Sequence, residues 1–385
     1  MAARPRLLFF VTEDWYFCSH RLPLALAARD AGYGVSVVTR TGQHGEQIRD
    51  QGLGLIPLQL DRHGTNPWRD LGVIARLSAI YRREAPDILH QVALKPVLYG
   101  SLAARLVGLP GVINALAGLG FLFSSEQTKA RLLRPAAHLG FRTLLGGRRF
   151  RVILQNPDDQ RLFERLTRMD PRQIHLIRGS GVDLSHFIPR PEPAGDPVVM
   201  LPSRLLWEKG VREFVTAAAA LRQRGLAARF VLVGEPDSAH PDAVPGPDIK
   251  GWVDQGLVEW WGYRKDMAET LAAAHLVCLP SWREGLPKAL LEAAASGRAI
   301  VTTDAPGCRE VVRDGVNGLL VPVRDAPALT EALACLIGDA RRRQDMGRQG
   351  RILAEAEFGV ERVVAATLAL YESLLADTRR PAAAP

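Results

Sequence analysis

Two glutamates eight positions apart, Glu284 and Glu292, flank a Gly285-Leu286-Pro287-Lys288 turn in the stretch SWREGLPKALLEAAASG, residues 281–297. Proline suits the first position of a helix, where its missing N–H is not needed, so the spacing predicts a helix that starts at Pro287. Its unpaired N–H groups and positive dipole end then lie around Glu284 to Lys288, where a phosphate is stabilised. Glu292 falls about five residues into that helix, roughly 7–8 Å along the axis, and helical side chains lean back toward the N-terminus. The offset is close to the length of a ribose. Glu292 can therefore accept hydrogen bonds from two vicinal hydroxyls, while Glu284, ahead of the helix, reaches a different polyol. The plainer alternative makes Glu284 a surface acid favoured by the dipole and Glu292 a solvated helix residue. The apolar LLEAAASG around Glu292 argues against it.

A second stretch, SRLLWEKGVREF at 203–214, puts Arg204 at a strand end and Lys209 just before Gly210 and a helix. A guanidinium can clamp a phosphate through two nitrogens and an ammonium can act as a point charge; an isolated pair of this kind is equally consistent with solvated turn residues. Three absences narrow the chemistry. No GxGxxG follows the first strand, no GxxxxGK[ST] occurs, and there is no Asp-x-Asp to hold a divalent ion on a diphosphate. Cys18, Cys278, Cys308 and Cys335 are scattered without metal-ligand spacing. The expectation is a reducing compartment, no metal and no other cofactor, with protein cations and a helix end carrying the charge of any bound diphosphate.

The elements that must position these groups alternate. RLLFFVT (6–12), a loop, a helix over 22–33 and GVSVVTR (34–40) form a βαβ unit. The alternation continues through strands at 54–60, 87–92, 112–116, 151–156 and 173–178. It restarts after the Gly- and Pro-rich segment 181–197, with strands at 198–204, 229–235, 258–262, 275–281, 299–304 and 318–323. Short apolar strands between amphipathic helices predict parallel sheets covered on both faces. At 385 residues, two domains are expected. The predicted architecture is α/β, two Rossmann-like doubly wound domains facing a cleft: residues 1–180, a hinge at 181–197, a second domain at 198–358, a long helix at 359–377 and a disordered tail at 378–385.

Charge is distributed unevenly. Residues 1–195 hold 26 Lys and Arg against 16 Asp and Glu, while the remainder holds 23 against 25. The first half therefore faces something anionic. In RLLRPAAHLGFRTLLGGRRFR (131–151) the basic residues are interleaved with apolar ones, which suits a membrane surface better than nucleic acid. No apolar run is long enough to span a bilayer and no signal peptide is evident, so any membrane contact is expected to be peripheral.

EGLPKALLE resembles the E-x7-E motif of family 4 retaining glycosyltransferases, and SRLLWEKG resembles their Arg/Lys diphosphate motif. GSGVDLSHF looks like their hinge, and PGCREVVRDGVNGLLVP (306–322), with Gly307 and Glu310, looks like the stretch behind their donor site. The resemblance covers nearly the whole chain. It implies a GT-B fold, metal-independent transfer, and a final helix crossing back to the N-terminal domain. It further implies that Arg204 and Lys209 hold the donor diphosphate, Glu292 the ribose hydroxyls and Glu284 the transferred sugar. Arg204, Lys209 and Glu284 are then the catalytic set. Gly285, Leu286, Pro287 and Lys288 complete the donor site, and the nucleobase is seated by backbone near Tyr263 and Arg264. Asp266 has a local explanation, since Asp-Met-Ala-Glu is a capping box.

The N-terminal half departs from the common family pattern. EDWYFCSHRLP replaces a glycine-rich loop, and Val92 stands where many members carry histidine, which leaves His90 as either a buried strand residue or a ligand. His20, Arg21 and Lys95 are expected on loops at the carboxyl ends of strands as acceptor contacts, with Gly118 and Gly120 allowing close backbone approach. ALKPVLYGSLAAR, the GLG loop and RGSGVD resemble a bacterial subgroup that extends undecaprenyl-diphosphate-linked sugars. The implied partners are a UDP-sugar donor, a lipid-linked saccharide acceptor and the anionic inner face of the cytoplasmic membrane, without nucleic acid. Two other functions share this outline: a UDP-sugar epimerase of similar fold, and a catalytically silent sugar-nucleotide-binding partner of a polysaccharide complex.

Overall fold

The structure is a computed structural model that describes residues 4–60, 67–119, 128–238 and 240–379. The chain divides into two compact units, Met1–Ser180 with Glu361–Pro385, and Gly181–Val360.

The first unit is built on seven parallel strands: β1 (Arg6–Glu13), β2 (Gly34–Arg40), β3 (Gly54–Pro57), β4 (Ile88–Val92), β5 (Gly111–Leu116), β6 (Phe150–Leu154) and β7 (Ile174–Leu176). Their order is β3-β2-β1-β4-β5-β6-β7, so the winding reverses between β1 and β4. β4, β5 and β6 are buried at every position, as strands covered on both faces must be. The segment after β1 is a helix, Asp14–His20, where a loop was expected; a second helix, Leu22–Asp30, follows directly. Burial of Phe17 edge-on against Phe9 of β1, with ring centroids 5.6 Å apart, accounts for the difference. The last helix, Val360–Arg379, runs two residues past its expected end and lays Leu370, Tyr371 and Leu374 into the core of this unit. Leu374 sits close over Gly111, where a Cβ would lie 3.1 Å from its Cδ2. Residues 380–385 lie outside the described residues.

The second unit has six parallel strands, β8 (Val198–Pro202), β9 (Arg229–Val233), β10 (Glu259–Gly262), β11 (Leu276–Leu279), β12 (Ala299–Thr303) and β13 (Gly318–Val321), ordered β10-β9-β8-β11-β12-β13. Here the winding reverses between β8 and β11. Apolar cores line both faces of this sheet. The Gly- and Pro-rich 181–197 stretch is fastened to this unit by arginines. Arg351 donates to the Leu184 and Phe187 carbonyls, Arg298 to that of Pro191, and Arg343 makes two 2.8 Å bonds to the Glu192 carboxylate. The chain entering the unit is hydrogen-bonded to the chain leaving it: Val182 N–H donates to Phe358 O and Val360 N–H to Val182 O.

Candidate active site

Ligands of open α/β sheets bind outside the carboxyl ends of the strands, where the strand order reverses. In the second unit that place is formed by the turns leaving β8 and β11. The β8 turn carries Arg204 and a one-turn 3-10 helix, Trp207–Lys209, closed by Gly210 in the left-handed region at φ 75°. A side chain at Gly210 would meet Pro280 O at 2.1 Å, so glycine is what lets this turn press against the end of β11. The segment after β9 is tied to the same turn. Leu205 N–H donates to Glu235 O, Val244 N–H to Leu205 O, and Glu208 N–H to Asp242 Oδ2. The arrangement brings Asp237 to Arg204, whose Nη1 donates to Asp237 Oδ2 at 2.9 Å.

The β11 turn places Glu284 opposite Lys209. Trp282 N–H donates to Glu208 O and Glu284 N–H to Pro306 O, which knits three loops together. The Glu284 carboxylate accepts from Lys209 Nζ at 2.6 Å and from Ser281 Oγ at 2.8 Å through the same oxygen. Gly307, at φ 81°, backs this loop so tightly that a Cβ would lie 2.5 Å from Glu284 O and 2.7 Å from Gly285 O. The helix is Lys288–Ala295, starting one position later than predicted, with Pro287 as its N-cap. The Pro287 carbonyl already accepts from Leu290 and Leu291, which makes it the half-in residue. No side chain caps this end. Glu292, only 6% exposed, pairs with Lys288 Nζ at 2.9 Å one turn back. Gly285 and Leu286 are buried in the turn between.

Burial pushes the Glu208 carboxyl up, with Lys209 pulling it down and the Glu284 and Asp242 carboxylates adding to the rise. Burial, helped by the Glu284 charge, pushes the Cys308 thiol up to about 12. It lies fully buried behind the site, a packed group unsuited to nucleophilic chemistry.

At the end of β10, Tyr263 is 70% exposed and its N–H donates to Glu235 Oε1 at 3.1 Å. Arg264 lies over the Trp261 ring, 5.7 Å from its centroid. The Tyr263 amide is thus committed within the protein, as is the Gly262 carbonyl, which accepts from the Gly234 N–H. Asp266 caps its helix through the Glu269 N–H.

The first unit corrects the setting of the acceptor candidates. His20 ends a helix and Lys95 stands in the first turn of the helix Leu94–Val107, so neither is on a loop, while Arg21 is the buried turn residue between two helices. Lys95 Nζ lies 3.7 Å from Asp70 Oδ1 and over the Tyr99 ring. Gly118 has φ 121°, and Gly120 lies outside the described residues. His90 is buried in the sheet with Nδ1 2.6 Å from the Tyr371 hydroxyl. The sequence motifs name Arg204, Lys209, Glu284 and Glu292 but give no signal for Asp237, Ser281 or Glu235, whose roles arise from loop contacts. Among the described residues no group of three or more His, Cys, Asp or Glu side chains could hold a metal ion.

Residues 196–339 match the family model described as "Glycosyl transferases group 1", and residues 6–155 match "Glycosyl transferase 4-like". A Campylobacter jejuni N,N'-diacetylbacillosaminyl-diphospho-undecaprenol alpha-1,3-N-acetylgalactosaminyltransferase is 27% identical over 341 residues, covering 85% of this chain and 88% of that enzyme. An Escherichia coli UDP-Gal:alpha-D-GlcNAc-diphosphoundecaprenol alpha-1,3-galactosyltransferase is 26% identical, covering 70% of this chain and 71% of that one. Among solved structures, sucrose-phosphate synthase from Thermosynechococcus elongatus superposes with a TM-score of 0.80 at 20% identity, over 97% of this chain and all of that one. Anabaena HepE in complex with UDP and glucose gives 0.76 at 18% identity, over 95% and 99%. At these identities the structural likeness speaks for the fold.

Proposed function

The chain belongs to the glycosyltransferases that these two family models describe and has the GT-B fold, and from that premise we propose that it is a retaining enzyme using a UDP-sugar. It moves a hexose or N-acetylhexosamine to an undecaprenyl-diphosphate-linked saccharide at the inner face of the cytoplasmic membrane. The Campylobacter and Escherichia coli relatives, named for diphospho-undecaprenol-linked acceptors, support that acceptor, and the second, named for UDP-Gal, supports a UDP donor. The basic excess of residues 1–195 and the exposed Leu139 and Arg142 on the helix Thr128–Leu144 support contact with an anionic surface. No helix among the described residues is long and apolar enough to cross a membrane.

One observation carries the proposal. Arg204, Lys209 and the uncapped start of the Lys288–Ala295 helix lie on the turns at the reversal point of one sheet, with Glu284 bonded to Lys209. As the anomeric carbon–oxygen bond breaks, its electron pair stays on the departing diphosphate. Arg204, Lys209 and the helix end stabilise that growing charge. The acceptor hydroxyl attacks the same face of the sugar and its proton passes to the leaving phosphate oxygen. Glu284 holds the sugar and Glu292 the ribose by accepting hydroxyl hydrogen bonds; neither transfers a proton. Lys209→Ala should lower turnover by on the order of a hundredfold or more, the loss typical of one transition-state donor. Turnover within severalfold of the parent, measured with UDP-sugars and extracted lipid-linked saccharides, would remove Lys209 from the catalytic set.

A further inference from the structure

The first unit has a reversal point of its own, between β1 and β4, and a cation stands there that no described carboxylate pairs. Arg21, in the connection that follows β1, is 5% exposed; its Nε is buried without a hydrogen-bond partner. No carboxylate among the described residues pairs with its guanidinium. His90 of β4 is 1% exposed and is held from one side only, with Nδ1 2.6 Å from the Tyr371 hydroxyl and Nε2 buried without a partner. Phe9 ties the backbones that carry the two residues: its ring packs 5.1 Å from His90 and 5.6 Å from Phe17, and Phe17 O accepts the backbone N–H of Arg21. Their electrostatics agree with this closeness. Burial and then the Arg21 charge depress the His90 imidazole, and Arg21 pulls down the Tyr371 hydroxyl that burial has raised.

A nearly buried guanidinium whose Nε has no partner is costly to a folded protein, and such groups are normally paired or bound to a ligand. We propose that Arg21 and His90 Nε2 form an anion site that receives a phosphate of the acceptor's prenyl diphosphate, an assignment that rests on the lipid-linked acceptor argued above. The second unit's cations, Arg204 and Lys209, already answer the nucleotide diphosphate, which leaves the first unit's site for a second anion. Both groups can act as donors. A bound phosphate selects the tautomer with the proton on Nε2, and the Tyr371 hydroxyl then donates to Nδ1.

The test is calorimetric titration of the full chain with farnesyl diphosphate, inorganic phosphate and UDP, alongside thermal melting and 15N NMR of the histidine rings. Arg21→Met should lose at least tenfold in farnesyl diphosphate affinity, keep its UDP affinity and melt higher than the parent, because a buried unpaired charge has gone. Arg21→Lys should keep part of the affinity, and the His90 Nε2 resonance should shift on binding in the parent. An Arg21→Met protein that melts lower with farnesyl diphosphate affinity unchanged gives Arg21 a structural role and overturns the site. Loss confined to UDP moves the site to the donor, and equal affinity for inorganic phosphate removes its tie to the acceptor; either result overturns the assignment. Absence of transfer to any prenyl-linked saccharide, with Arg21-dependent farnesyl diphosphate binding intact, would instead count against the acceptor reading alone.

Discussion

Arg204 and Lys209 each face a carboxylate before any diphosphate arrives, Asp237 in one case and Glu284 in the other. On the function proposed, a bound diphosphate competes with both. The Arg204–Asp237 pair is partly exposed, and such pairs contribute about 0–1 kcal/mol. Asp237→Asn, which keeps the shape and removes the charge, should therefore tighten UDP binding by up to about fivefold. Calorimetric titration reads this directly, and weaker binding would instead mean that Asp237 holds Arg204 in its working position. At this scale the motif residues were legible because their spacing is local: one turn and one helix bring Glu284 and Glu292 to fixed offsets. Asp237 was not, because it lies 33 positions from Arg204 and no spacing rule links them.

Helices and strands hold these groups through a few points where backbones touch. Gly307 packs against the Glu284 and Gly285 carbonyls, and neither can swing aside as a flexible side chain would. Gly307→Ala should cost about 1–3 kcal/mol from its positive φ, with the clash on top. It should also weaken donor binding by displacing Glu284. Urea unfolding together with UDP titration separates the two effects, and unchanged values in both would show that the loop can yield. The alternation of strands and helices was readable from apolar periodicity because both sheets are buried on both faces. The Asp14–His20 helix was not. It is seven residues long with no side-chain cap, and it exists because Phe17 docks on Phe9, a tertiary contact that periodicity does not encode. The start of the Lys288–Ala295 helix moved by one residue for a smaller reason: Pro287 keeps extended backbone, with ψ 111°, and so stands half in the helix while Lys288 is its first residue.

On the scale of the whole chain, the first unit is discontinuous. Its sheet is made from residues before Gly181, but its core includes Tyr371 and Leu374 from the last helix, and Asp377 pairs with Arg151 of β6. A chain ending at Val360 should lose hydrogen-exchange protection in β1 and β4, while β8 to β13 keep theirs. Equal protection in both units would show that the helix contributes little. The uneven charge of the two halves could be read by counting residues. The destination of the final helix could not be read from periodicity, which gives a helix an apolar face without saying what covers it; only the resemblance to a family supplied that. The same discontinuity bears on how the protein is made. β1 and β4 leave the ribosome early, yet the helix that covers His90 cannot exist until all of Gly181–Val360 has been synthesised, a wait of roughly 10–35 s at ordinary rates. During that interval the helices Asp14–His20 and Leu22–Asp30 cover only part of the sheet face that the last helix packs on, so the first unit completes its core only after the second has been made.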